Sequence, residues 1–175
     1  MVAANPDNPD KKRRAMCWMC DHPGSSIRDY LDVVYGKVTR NGWTVVYVEH
    51  DQVPFAYTVG LTGRDFPELL VTGASPQRTL RLFNGVARRF ETRGVPVPGT
   101  QFSLPAGPLI EVVEVEHPDA HLICAAAIFD NEFRALQLVW ADRRGRWPWA
   151  EEFNNGRATQ PVLGMRAPCD LDESG

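Results

Sequence analysis

No uninterrupted apolar run in this 175-residue chain exceeds the eight residues 122–129, less than half of what a helix needs to cross a bilayer. A membrane-spanning helix is excluded on that count. The chain also lacks a large charge excess: its net charge is −3 and its pI is near 5.8, without the basic footprint of a domain built on a nucleic-acid backbone. Nucleic acid is thereby disfavoured as a partner. Cysteine is scarce, four residues in all, far below the density of a disulfide scaffold. There is no Ser-His-Asp signature, Walker loop, dinucleotide-binding glycine fingerprint or His-Glu-x-x-His motif, so motif evidence names no nucleophile. No apolar stretch precedes the basic run 11–14. A secretory h-region is therefore missing, and a cytoplasmic chain is expected.

What is present suits one globular domain. The length permits burial of roughly 70 % of the chain's surface, and 43 % of the residues are apolar. Residues 1–16, rich in Asn, Pro, Asp and basic side chains, read as a disordered tail; residues 17–165 read as a single domain, and 166–175 as a flexible tail. Ser26 and Asp29 have capping-box spacing ahead of apolar residues at 27, 30, 31, 34 and 38, which predicts an amphipathic helix ended by Gly42. Two β-branched and aromatic runs, 43–49 and 54–61, read as a hairpin, and 68–72 as a third strand. Ser75-Pro76 opens a second helix, with Leu80, Phe83, Ala87 and Phe90 at helical spacing until Gly94 and with Leu80 and Phe83 expected to face the sheet. A short strand at 101–103 follows in a proline-rich loop. Residues 109–116 read as a strand with its acids at an exposed face or edge, 117–129 as one helix, 133–140 as a strand and 142–149 as a turn. The fold expected is α+β: a mostly antiparallel sheet of five to six strands with two or three packed helices, or alternatively a split β-barrel.

Two clusters could carry chemistry. In Cys17-Trp18-Met19-Cys20-Asp21-His22, two thiolates two residues apart can grip one tetrahedral ion, and His22 is near enough to add a nitrogen. This is half of a zinc or iron site. Carboxylates aside, its fourth ligand would come from His50, His117, His121 or Cys169. The same spacing also suits reversible disulfide chemistry, but the helix that would lower a thiol pKa starts only beyond Pro23 and Gly24. The second cluster is the turn with Trp140, Asp142, Trp147 and Trp149, where indoles can wall a ligand or protein surface or close over the core. Arg143, Arg144 and Arg146 make that turn locally basic. The basic residues between 78 and 93 read simply as a solvated helix face. Gly60, at a strand end, admits a ligand or a neighbouring backbone; strand pairs of this kind also occur in flavin-binding split barrels, though no phosphate-binding loop accompanies this one.

Met16-Cys17-Trp18-Met19-Cys20, Gly42-Trp43, Phe55-Ala56-Tyr57-Thr58-Val59-Gly60-Leu61, Pro67-Glu68-Leu69, Gln137-Leu138-Val139-Trp140, Gly145-Arg146-Trp147-Pro148-Trp149 and Gln160-Pro161-Val162-Leu163-Gly164 together resemble a bacterial family filed as domain of unknown function 4262. The likeness runs from about residue 16 to residue 164. It implies a bacterial cytoplasmic protein and brings no activity, substrate or catalytic residue to these positions. Two functions of different class follow from the residues. One is a small metalloprotein using Cys17, Cys20 and His22 with zinc or iron. The other is a metal-free module that binds a small molecule or protein, a second copy of the chain included, through the Trp140–Trp149 turn.

Overall fold

The computed structural model describes residues 22–49 and 53–166. The expected N-terminal tail, the thiols of Cys17 and Cys20, and the candidate ligands His50 and Cys169 lie outside those residues. Helix α1 (Ile27–Asn41) begins as its spacing predicts. The Asp29 N–H donates to Ser26 Oγ, the Asp29 carboxylate accepts from the Ser26 N–H at 2.6 Å, and Gly42 at φ 82° ends the helix. Helix α2 (Pro76–Arg93) has Ser75 as its cap, proline in its first turn and Gly94 after its last.

Six strands, β1 (Thr44–Val48), β2 (Phe55–Val59), β3 (Glu68–Thr72), β4 (Gln101–Ser103), β5 (Leu109–Glu114) and β6 (Ala135–Trp140), form one open sheet in the order β1-β2-β3-β6-β5-β4. The β1–β2 hairpin pairs Val46 with Tyr57. All neighbours are antiparallel except β3 and β6, which run parallel with Leu69 opposite Leu136. The α+β expectation holds, and the split-barrel closure does not: β1 and β4 are free edges, which also removes the frame for a flavin-binding split barrel.

Side-chain alternation gives the sheet two apolar faces. Leu136, Leu138 and Trp140 pack with Leu69, Val71, Ile110 and Val112 beneath Leu82, Phe83, Val86 and Phe90 of α2. On the other face Tyr57, Leu70 and Ala135 meet Val34 of α1 and Cys124 and Ala125 of the short helix α4 (Ile123–Ile128). Each large apolar side chain so enclosed contributes roughly 1.5–3 kcal/mol over its exposed state. No helix of the described residues is long and apolar enough to cross a membrane.

Three local expectations are corrected. Residues 117–129 are two short helices, α3 (Pro118–His121) and α4, because Leu122 at φ −100°, ψ 60° breaks the run and is itself fully buried. The described residues thus hold four α-helices. Leu80 is 45 % exposed, since the face of α2 on the sheet runs through Thr79, Leu82, Phe83, Val86 and Phe90. Glu111 is buried, not displayed: β5 lies one strand in from the edge, and Arg166 covers the carboxylate with Nε–Oε1 at 2.7 Å and a second bond at 3.1 Å to Oε2.

Backbone proximity accounts for several of the glycine-containing motifs. A Cβ on Gly60, at φ 118°, would stand 2.6 Å from the Gly42 carbonyl oxygen and 2.8 Å from Trp43 Cα. The neighbour at Gly60 is therefore protein backbone. Glu68, fully buried, accepts from the Gly60 and Thr62 N–H groups and from the Thr58 and Thr62 hydroxyls at 2.6–3.0 Å, locking the turn between β2 and β3. Beyond β6, residues 159–164 strap the far face. Gln160 exchanges two hydrogen bonds of 2.8 Å with the Trp140 backbone, and Gln137 binds the Pro161 carbonyl and the Leu163 N–H.

Candidate functional site

Because β3 and β6 are parallel, the segments that follow them leave the sheet at the same end. The segment preceding β5 joins them there, since β5 is antiparallel to β6 and pairs Ile110 with Trp140. Open sheets bind ligands in crevices at the carboxyl ends of parallel strands, where following segments diverge. Here that end carries a cleft of about 1060 Å³, floored by Trp140. Its walls are the first turns of α2, the turn after β6, and the segment 104–109.

Two of these walls are basic. Arg78 and Arg81 come from α2, and Arg143, Arg144 and Arg146 come from the turn, so five guanidiniums face the cleft against the single carboxylate of Asp142. That carboxylate is already committed. Its oxygens accept from the Arg144 and Arg146 N–H groups at 2.8 and 2.9 Å, from Arg146 Nε at 2.9 Å and from the Asn154 N–H at 3.1 Å, and an Arg146–Asp142 ion pair closes at 2.8 Å. Burial works against its ionisation, but the bonds from the Arg146 side chain and from the Arg146, Asn154 and Arg144 backbone outweigh it. They hold the Asp142 carboxyl well below the usual carboxylate range. Asp142 thus shapes the turn and fixes Arg146 without neutralising the other arginines.

Arg78 is placed differently. Its guanidinium lies over the Trp140 ring at 4.6 Å, and the indole is itself fixed by Nε1–H donating to the Thr72 carbonyl at 3.2 Å and by Phe153 at 5.6 Å. A cation–π contact of this kind does not consume the guanidinium's N–H donors, which stay available to an acceptor. Among the described residues no acceptor meets them, and none of Arg78, Arg81, Arg143 and Arg144 is in an ion pair. The positive end of the α2 dipole reinforces the same sign.

The third wall is apolar. Leu104, Pro105, Ala106, Pro108 and Leu109 carry no charge, and Leu104 seats its methyls against Gly85, where a Cβ would come within 2.6 Å of Leu104 Cδ1. Ala106 sits at φ 54°, and Asn154 and Asn155 at φ 47° and 60°. For alanine that region costs about 1 kcal/mol or more. At the rear, a Cβ on Gly73, at φ 65°, would collide with the Thr159 carbonyl, so the strap lies directly against the turn that leads into α2.

The aromatic candidates divide. Trp140 is a buried floor residue, Asp142 organises the turn, and Trp147 and Trp149 do not line this cleft. The latter two stack on each other at 5.2 Å, with the Arg166 guanidinium 3.6 Å over the Trp149 ring. Trp149 is thus engaged by two neighbours while remaining 40 % exposed. His22 lies in the turn before α1, its carbonyl accepting from the Ser25 N–H. Cys17 and Cys20 fall outside the described residues, and among the described ones no group of three or more His, Cys, Asp or Glu is arranged to hold a metal. Sequence reasoning missed Arg78 and Arg81, which it left on a solvated face. The available signal was the basic turn 143–146, which had no partner until the topology supplied one.

No curated protein and no solved structure matches the chain. The model of a family described as Domain of unknown function (DUF4262) matches residues 37–154, a span that starts inside α1, leaves out Cys17, Cys20 and His22, and contains all five cleft arginines. With more than half of its length so matched, the chain belongs to the DUF4262 family.

Proposed function

We propose that this protein is a binding domain for a small anionic molecule, held in the cleft at the carboxyl ends of β3 and β6. One observation carries the reading: five guanidiniums converge there on one carboxylate that is already hydrogen-bonded and paired. Bringing five like charges together around one carboxylate is unfavourable, and an anion that accepts their hydrogen bonds reverses the sign of that interaction. The groups the cleft offers are suited to binding and to charge stabilisation. Arg78 is held by Trp140, Arg146 is held by Asp142, and the exposed Arg81, Arg143 and Arg144 extend the positive field into solvent. The Cys17–Cys20–His22 cluster has no part in this reading, which agrees with the metal-free alternative at the Trp140–Trp149 turn in using Trp140 and Asp142.

Thermal unfolding in pyrophosphate against chloride at matched ionic strength tests it. A ligand at about a hundred times its Kd adds about 2.7 kcal/mol of stability, which raises Tm by about 5–10 °C for a chain of this size. Arg78→Ala combined with Arg143→Ala should abolish that rise. An identical Tm in the two salts, up to tens of millimolar pyrophosphate, would end the proposal.

A further inference from the structure

The cleft is not uniformly basic, and its asymmetry points to the chemistry of its ligand. Arginine lines two walls, while the third, from Leu104 to Leu109, presents two prolines, two leucines and an alanine with no charged side chain. That wall is built to stay in place. The Gly107 N–H closes a tight turn on the Leu104 carbonyl at 2.9 Å, Leu104 is anchored at Gly85, and Ala106 is held at φ 54°. A purely inorganic anion would use the arginines and leave this wall idle.

We infer that the ligand is an organic phosphomonoester, its dianionic headgroup taken by Arg78 with Arg143 and Arg144, and its apolar body laid against the segment 104–109. This rests on the anion-binding reading above and adds the ligand's class to it. A phosphomonoester supplies close to two charges and three acceptor oxygens, which match the planar donor forks of several arginines better than the single charge of a carboxylate does. The guanidinium held over Trp140 is the anchor, because it is already placed at the cleft floor before the ligand arrives and has less rotamer freedom left to lose. The apolar body adds affinity by area: about 60 Å² of ring removed from water against the proline-rich wall gives about tenfold.

Isothermal titration of the full chain with three probes, phenyl phosphate, inorganic phosphate and benzoate, reads both halves of the inference at once. Phenyl phosphate is expected to bind at least tenfold more tightly than either of the others. Arg78→Lys, which keeps the charge and loses the fork, should weaken phenyl phosphate and inorganic phosphate alike by about tenfold. Leu104→Ala should weaken only phenyl phosphate; if that variant does not fold, the comparison of probes on the unaltered protein decides. Equal affinity for inorganic and phenyl phosphate would overturn the role of the apolar wall while leaving anion binding standing. Benzoate binding as tightly as phenyl phosphate would overturn the phosphomonoester assignment. Failure of all three probes to bind would overturn the anion reading itself.

Discussion

Replacing Glu68 probes the most heavily hydrogen-bonded side chain in the core. Its Oε1 accepts from the Gly60 N–H at 2.9 Å, the Thr62 N–H at 3.0 Å and the Thr62 hydroxyl at 2.9 Å, and its Oε2 accepts from the Thr58 hydroxyl at 2.6 Å. Thr58 Oγ1 in turn accepts from the Leu69 N–H at 2.8 Å. Glu68→Ala leaves two wholly buried donors, the Thr58 hydroxyl and the Gly60 N–H, with no acceptor, whereas Thr62 is only half-buried and can reach water. An orphaned buried donor costs about 1–3 kcal/mol, so the change should destabilise by about 2–6 kcal/mol, a large share of the 5–15 kcal/mol typical of a domain. Glu68→Gln keeps one oxygen for the three donors at Oε1 but turns an amide NH2 toward Thr58 Oγ1. Only the Thr58 hydroxyl proton then loses its acceptor, a cost of about 1–3 kcal/mol. Urea denaturation followed by tryptophan fluorescence should rank the unaltered protein above Gln and Gln above Ala, with an unchanged slope. If Glu68→Ala unfolds within about 0.5 kcal/mol of the unaltered chain, or if Gln costs as much as Ala, the hydrogen-bond account of this turn is wrong.

Other outcomes follow from neighbouring parts of the molecule. Phe83→Ala should cost about 3–5 kcal/mol in the same assay, whereas Leu80→Ala, on the solvent side of the same helix, should fall within about 0.5 kcal/mol of the unaltered protein; equal effects would misplace the α2 face. Asp142 has a lowered pKa in the fold, so its contribution is complete above the unfolded carboxyl value, near pH 4, and fades as pH falls below it. The stability gap between the unaltered protein and Asp142→Asn should accordingly narrow on acidification below about pH 4, and a gap that widens there would refute the network drawn around Asp142. Burial pushes the Cys124 thiol up, although a hydrogen bond with Tyr57 works in the opposite direction. Native protein treated with iodoacetamide at neutral pH should therefore show Cys124 unmodified on peptide mapping until urea is added, and prompt labelling in the folded chain would contradict its enclosure.

Much of the fold was legible because its elements announce themselves locally. The Ser26–Asp29 capping box, the Ser75-Pro76 start and the glycines at 42 and 94 set both long helices from a few neighbouring residues. The β1–β2 hairpin was legible from two β-branched runs. What periodicity could not show was which of two overlapping stripes on α2 faces the sheet. Leu80, Phe83, Ala87 and Phe90 make one helical series, and its last three members are buried, but the enclosed face also takes in Thr79, Leu82 and Val86 and leaves Leu80 out, so a threonine displaces a leucine. Glu111 was misread for a related reason. A carboxylate in a strand looks solvent-facing until its partner is known, and Arg166 lies 55 residues further along the chain.

The cleft was illegible for a topological reason. Arg78 and Arg143 lie 65 residues apart in sequence, and each looks like ordinary solvated charge in its own context. They converge because one strand pairing out of five is parallel. Had β6 run antiparallel to β3, the turn 142–146 would leave the opposite end of the sheet, and the arginines of α2 would face solvent alone. The β3–β6 register, Leu69 opposite Leu136, together with the cap at Ser75 and the Asx-type turn at Asp142, places the two basic segments on either side of Trp140. The positive charge of this site is therefore a property of the sheet's connectivity more than of composition, and so a chain with a net charge of −3 can still present an anion with a cationic cleft.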